Sequence, residues 1–119
     1  MNDKIEIKLP SKPEYISLVR LTASSIANNK GLNIDEIEDL KVSLSEACTN
    51  VINFNDSEEL NILFTLKEDG IYVDIEDVLE DIPEDLDNAK QGQMGLLIIN
   101  SLMDKVEFKD TGITMVKYI

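Results

Sequence analysis

The chain has 119 residues, 43% of them hydrophobic, which is enough for one packed core and too few for two domains. With 24 acidic residues against 11 basic ones the net charge is −13, so the surface repels nucleic-acid phosphates and anionic membranes, and direct binding to either is not expected. The absence of histidine and the single cysteine, Cys48, exclude histidine-based triads, the usual zinc sites and an internal disulfide framework.

The N-terminus has no uninterrupted apolar stretch, and no segment is apolar for the length a bilayer requires, so a cytoplasmic protein without a membrane partner is expected. Ile5, Ile7 and Leu9 alternate with Glu6 and Lys8, the period of a half-buried strand, and Pro10 closes it as an edge strand. From Pro13, with Ser11 as a possible cap, Ile16, Val19, Ala23, Ile26 and Ala27 recur at helical spacing, and Asn28-Asn29-Lys30-Gly31 supplies a stop. A second helix starts near Asn33, has Asp35, Glu36 and Glu38 in its first turn, and carries Ile37, Leu40, Leu44, Ala47 and Val51 on one stripe. Cys48 lies on this helix, where a small buried hydrophobe is expected rather than a reactive thiol.

Residues 60–66 and 71–75 flank Lys67-Glu68-Asp69-Gly70 and predict a hairpin with an Asp-Gly turn. Residues 76–93 are acidic and contain Pro83, the composition of a loop. A short apolar helix is expected to open at Gly95 and run to Met103, followed by strands at 105–109 and 113–119. This order predicts a single α+β domain over residues 1–119, with a mixed, mainly antiparallel sheet covered by helices on one face.

Within the second helix, Ser45-Glu46-Ala47-Cys48-Thr49-Asn50 places Glu46 and Asn50 four residues apart, on one helix face. A carboxylate can accept a proton from an attacking hydroxyl, and a carboxamide oxygen can bind magnesium, so the pair suits phosphoryl transfer. By itself the pair more often marks a solvated helix face.

Pro13-Glu14-Tyr15-Ile16, Arg20-Leu21-Thr22, residues 36–41 running into Ser45 to Asn50, and the stretch from Met94 through Val106 together resemble the RsbW and SpoIIAB type of anti-sigma-factor serine kinase. The likeness spans nearly the whole chain. It implies the Bergerat ATP-binding fold of histidine kinases and gyrase-type ATPases, a two-layer sandwich with ATP and Mg2+ as cofactors. By the same resemblance Glu46 is the catalytic glutamate, Asn50 the magnesium ligand, Asp77 the reader of the adenine amine, and Gly92 and Gly95 two glycines of the phosphate-binding box. Arg20 matches an arginine near the dimer and sigma-factor surface. The implied partners are a sigma factor, an anti-anti-sigma (STAS-type) antagonist whose serine is phosphorylated, and a second copy in a homodimer.

The chain departs from the family pattern around that pocket. Leu79 and Gln93 stand at glycine positions, Phe54 replaces a polar histidine, and the segment between Asp77 and Gly92 is short. Non-glycine residues forced to positive φ at 79 and 93 would crowd a nucleotide and lower its affinity. Two readings follow: a kinase that also binds its partner, and a non-catalytic interaction module of the same fold. Glu46 and Asn50 are expected to face the cleft between their helix and residues 77–95, and contact with the adenine amine requires Asp77 to face inward.

Overall fold

The computed structural model describes residues 2–119. Strand β1 (Asp3–Pro10) leads through a 3-10 turn (Pro13–Tyr15) into α1 (Ile16–Asn29) and α2 (Ile34–Phe54), then the hairpin β2 (Glu59–Lys67) and β3 (Gly70–Glu76). Helix α3 (Ala89–Leu102) and the hairpin β4 (Lys105–Lys109) and β5 (Gly112–Tyr118) complete it. The strands form one sheet in the order β1-β2-β3-β5-β4, and every pair is antiparallel, in line with the mainly antiparallel sheet expected. With only short hairpin connections inside the pairs β2–β3 and β4–β5, neighbouring strands are obliged to reverse direction.

Cross-strand rows build the face beneath the helices. Ile7, Ile62, Ile75, Ile113 and Phe108 form one row, and Ile5, Phe64, Val73, Met115 and Val106 a second. Against these rows pack Val19, Ala23 and Ala27 of α1 and Leu40, Leu44, Ala47, Cys48 and Val51 of α2, all fully buried. The helix α2 starts as its sequence indicates: Asn33 Oδ1 accepts from the Glu36 N–H (2.8 Å) and Glu36 Oε1 accepts from the Asn33 N–H (2.9 Å), a reciprocal cap.

Three local expectations are corrected. Ser11 does not cap the first helix, because Pro13–Tyr15 turns as 3-10 helix and the α1 boundary falls at Tyr15 without a side-chain cap bond. The β2–β3 turn is made by Glu68 and Asp69; Gly70 already pairs with Lys67 and has no positive φ. Its bare Cα is needed because a Cβ would stand 2.6 Å from the Lys117 carbonyl oxygen of β5. Helix α3 begins at Ala89 rather than Gly95, so two glycines lie inside it. Ala89, Lys90, Gln91, Gln93 and Met94 favour helix, and together they outweigh the roughly 1 kcal/mol that an interior glycine costs.

The third inward row ends in a charge. Lys117 follows Leu66 and Ile71 on the helix side and is only 6% exposed. Its Nζ donates to the Leu102 carbonyl at the end of α3 (2.8 Å) and pairs with Asp39 of α2 (3.4 Å) and Asp104 (3.8 Å). The cation thus sits at the negative end of the α3 dipole and joins three elements.

Leu44 is at the centre of α2 and touches no solvent. Leu44→Ala is expected to cost about 2–5 kcal/mol, a large share of the roughly 5–15 kcal/mol stability of a domain this size. The midpoint of urea unfolding checks this, and a shift of under about 0.5 kcal/mol would contradict the packing described.

Candidate functional site

Helix α2 has a second face. Asp39, Ser43, Glu46 and Asn50 recur at spacings of four, three and four, a polar stripe beside the apolar one, and α3 lies along it. The facing side of α3 is cut back for this contact. A Cβ on Gly92 would stand 2.5 Å from the Phe54 ring and 2.7 Å from Ile82, and one on Gly95 would stand 2.6 Å from Glu46 Oε2. Ala89, Gly95 and Ile99 are the buried residues of α3, so its first two turns approach α2 through small residues and its later turns through large ones.

The structure brings Glu46 and Gly95 into contact. They share a shallow groove of about 450 Å³ with Lys90, Gln91, Met94 and Ile98. Asn50 faces the 77–88 loop, as expected, but its carboxamide is occupied: Nδ2 donates to the Leu79 carbonyl (3.0 Å) and Oδ1 accepts from the Leu79 N–H (2.8 Å). With Asn50 4% exposed, this pair is buried as well as complete.

Asp77 does not join them. It follows β3 at φ 70, its N–H donates to the Thr111 carbonyl (2.9 Å), and its half-exposed side chain is not part of the groove lining. Val78 is the residue that turns into the core, where inward-facing Asp77 was expected. Gly92 and Gly95 are not in a loop at a helix start, as the resemblance implied. The Gly92 N–H is spent on the Asn88 carbonyl (2.9 Å) inside α3.

Nor do Leu79 and Gln93 carry the strain expected of them. The non-glycine residues at positive φ are Asp77 and Asn88, types that tolerate the left-handed region. Gln93 lies on α3, and its Nε2 donates to the Ile82 carbonyl (3.3 Å), tying helix to loop. Arg20 of α1 rests on α2, its guanidinium donating to Ser45 Oγ (3.4 Å), one residue from Glu46.

A magnesium-bound nucleotide needs a free Asn50 oxygen, open N–H groups near Gly92 to Gly95, and room before Glu46. The residue types suit it, but their arrangement does not: the amide is paired, the Gly92 N–H is helical, and Gly95 closes on the carboxylate. Among the described residues, no three His, Cys, Asp or Glu side chains gather closely enough to hold a metal ion.

Two residues of this region were not singled out from sequence. Ser43 has a buried hydroxyl without a hydrogen-bond partner, and its only signal was a polar residue between Leu40 and Leu44. Lys90 lines the Glu46 groove and is the one basic residue between Lys67 and Lys105, a contrast of charge that could have marked it.

Residues 9–117 match the family described as the histidine kinase-like ATPase domain. The chain is 36% identical over 137 aligned residues to the serine-protein kinase RsbW of Bacillus cereus (strain ATCC 10987), covering 98% of this chain and 86% of the relative. It is 40% identical over 138 residues to the serine-protein kinase RsbW of Oceanobacillus iheyensis, covering 98% and 87%. Both alignments are longer than the 119 residues of this chain, so the relatives carry residues within the shared span that are missing here.

Cys48 has no part in the site. It is buried on the apolar face of α2, and the loss of hydration pushes its thiol from the ordinary 9.0 up to about 12. Because the unfolded thiol ionises first, its contribution to stability is intact below pH 9 and is lost as pH rises from 9 towards 12. At pH 8 a thiol reagent is expected to label Cys48 only in denaturant; rapid labelling of folded protein would contradict its burial.

Proposed function

The chain belongs to the histidine kinase-like ATPase family, among the RsbW-type serine-protein kinases, and from that premise we propose that it is an anti-sigma factor kinase. It holds a bacterial sigma factor away from RNA polymerase and uses ATP to phosphorylate a serine of a STAS-type antagonist, and phosphorylation of that antagonist decides which partner is held. The observation that carries this reading is the likeness to serine-protein kinases over 98% of the chain. We further take the 119 residues as one domain acting in the cytoplasm; no helix among the described residues is long and apolar enough to cross a membrane.

Glu46 is the proposed catalytic residue, accepting the proton of the substrate serine, and Asn50 the proposed magnesium ligand. Asp77, Gly92 and Gly95 remain the proposed nucleotide contacts. Each needs residues 77–95 to leave the arrangement described above. What stands in the way is the path of that segment; the chemistry of Glu46 and Asn50 is intact, so the non-catalytic reading is not required. For partner contact, Arg20 is the proposed residue, and Leu18 and Leu21 of the same helix, one turn apart and 46% and 67% exposed, support a protein-binding surface on α1. A homodimer through the first strand and first helix is proposed as well, supported by β1 being a sheet edge.

Transfer of labelled phosphate from Mg-ATP to a STAS-type antagonist tests the proposal. Glu46→Gln is expected to slow transfer about 10²- to 10⁴-fold with little change in nucleotide affinity. Asn50→Ala should abolish the magnesium-dependent part of nucleotide binding. Wild-type protein that captures a sigma factor yet transfers no phosphate would overturn the kinase and leave a binding protein.

A further inference from the structure

Helix α2 meets the two halves of α3 on different terms. The last turns of α3 are anchored by buried Ile99 and Met103 and by the Lys117 ammonium on the Leu102 carbonyl. The first two turns carry Ala89, Gly92 and Gly95 at helical spacing, small residues that bury little apolar surface of their own. Gly95 meets the Glu46 carboxylate, and Gly92 meets the Phe54 ring and Ile82. This half of the contact is the weaker, because its small residues remove less apolar surface from water than Ile99 and Met103 do.

The cover is continuous with the preceding loop. Gln93 holds the Ile82 carbonyl, Gly92 sits against Ile82 and Phe54, and Leu79 is bonded through both its N–H and its carbonyl to Asn50. The loop is bounded by Asp77 and Asn88, the two non-glycine residues at positive φ among the described residues, which places uncommon backbone conformations where a hinge would bend.

We infer that residues 78–95 form an autoinhibitory cover, latched by the Asn50–Leu79 amide pair, which must detach and lose helix over Ala89–Gly95 before Glu46 and Asn50 can serve a nucleotide. Helical 89–95 and bound nucleotide are then mutually exclusive. The apparent affinity is the intrinsic one reduced by the fraction of molecules with the cover open. The role of nucleotide in this scheme rests on the kinase reading above; the cover itself does not.

Residue-resolved hydrogen exchange on the full chain tests it. In the free protein the amides of Leu79 and of 92–95 should be protected, but should exchange at least about tenfold faster than that of Met103, which is bonded to Ile99 at the anchored end. Saturating Mg-ATP, with binding followed by calorimetry, should remove the protection at Leu79 and 92–95 and spare Met103. Equal protection along all of α3, or unchanged protection at 79 and 92–95 with nucleotide bound, overturns the cover.

Leu79→Pro deletes the latch N–H without touching Asn50 or Glu46, and Gly92→Ala places a Cβ against Phe54 and Ile82. Either variant, once cooperative unfolding shows it folded, should speed exchange at 93–95 about tenfold without nucleotide. No acceleration in either overturns the cover. Acceleration together with no nucleotide binding in any variant upholds the cover and overturns the kinase reading, which keeps the two failures distinct.

Discussion

The organisation of this protein depends on one helix having two unlike faces. Leu40, Leu44, Ala47, Cys48 and Val51 of α2 are removed entirely from water against the sheet and α1. Asp39, Ser43, Glu46 and Asn50, on the neighbouring stripe, cannot be buried on those terms and must each find a polar partner or stay near solvent. Asp39 takes Lys117, Asn50 takes the backbone of Leu79, Glu46 remains at the edge of a groove, and Ser43 goes without. The apolar face supplies the packing, and the polar face holds the carboxylate and carboxamide of Glu46 and Asn50.

That division sets the geometry of α3. Its first two turns present Ala89, Gly92 and Gly95, because a Cβ at 92 would collide with Phe54 and Ile82 and one at 95 with Glu46. Beyond Gly95 the contact becomes conventional, with Ile99 and Met103 buried. Lys117 makes the join between these regimes and the sheet: it is the one cation in an inward row, and its three oxygen partners come from the helix layer and the turn before β4. Removing it would leave the end of α3 without its charge partner.

The same trade appears in the loop from Asp77 to Asn88. The segment is strongly acidic, yet Val78 and Ile82 reach into the apolar interior and hold it close. Its backbone departs from common conformations at Asp77 and Asn88 rather than at Leu79 or Gln93, so neither of the latter carries strain in this arrangement. A short loop thus acquires its own path across the helix layer.

Much of this was legible in the sequence because it rests on local periodicity. The alternation at Ile5, Ile7 and Leu9, the cap at Asn33 and Glu36, the stripe from Leu40 to Val51 and the one-turn spacing of Glu46 and Asn50 are each decided within a few residues. Spacing also implied that Glu46 and Asn50 share a face. It could not reveal their occupants, because the Asn50–Leu79 pair spans 29 positions in sequence. The start of α3 was misplaced for a related reason: a glycine reads as a helix breaker locally, and only the close approach of Glu46 and Phe54 shows why a helix tolerates two. Local order along the chain was enough to mark the polar residues suited to chemistry and the faces that would be apolar. Which of those residues meet followed from the folded arrangement, because burial, pairing and close approach are properties of segments brought together from distant parts of the chain.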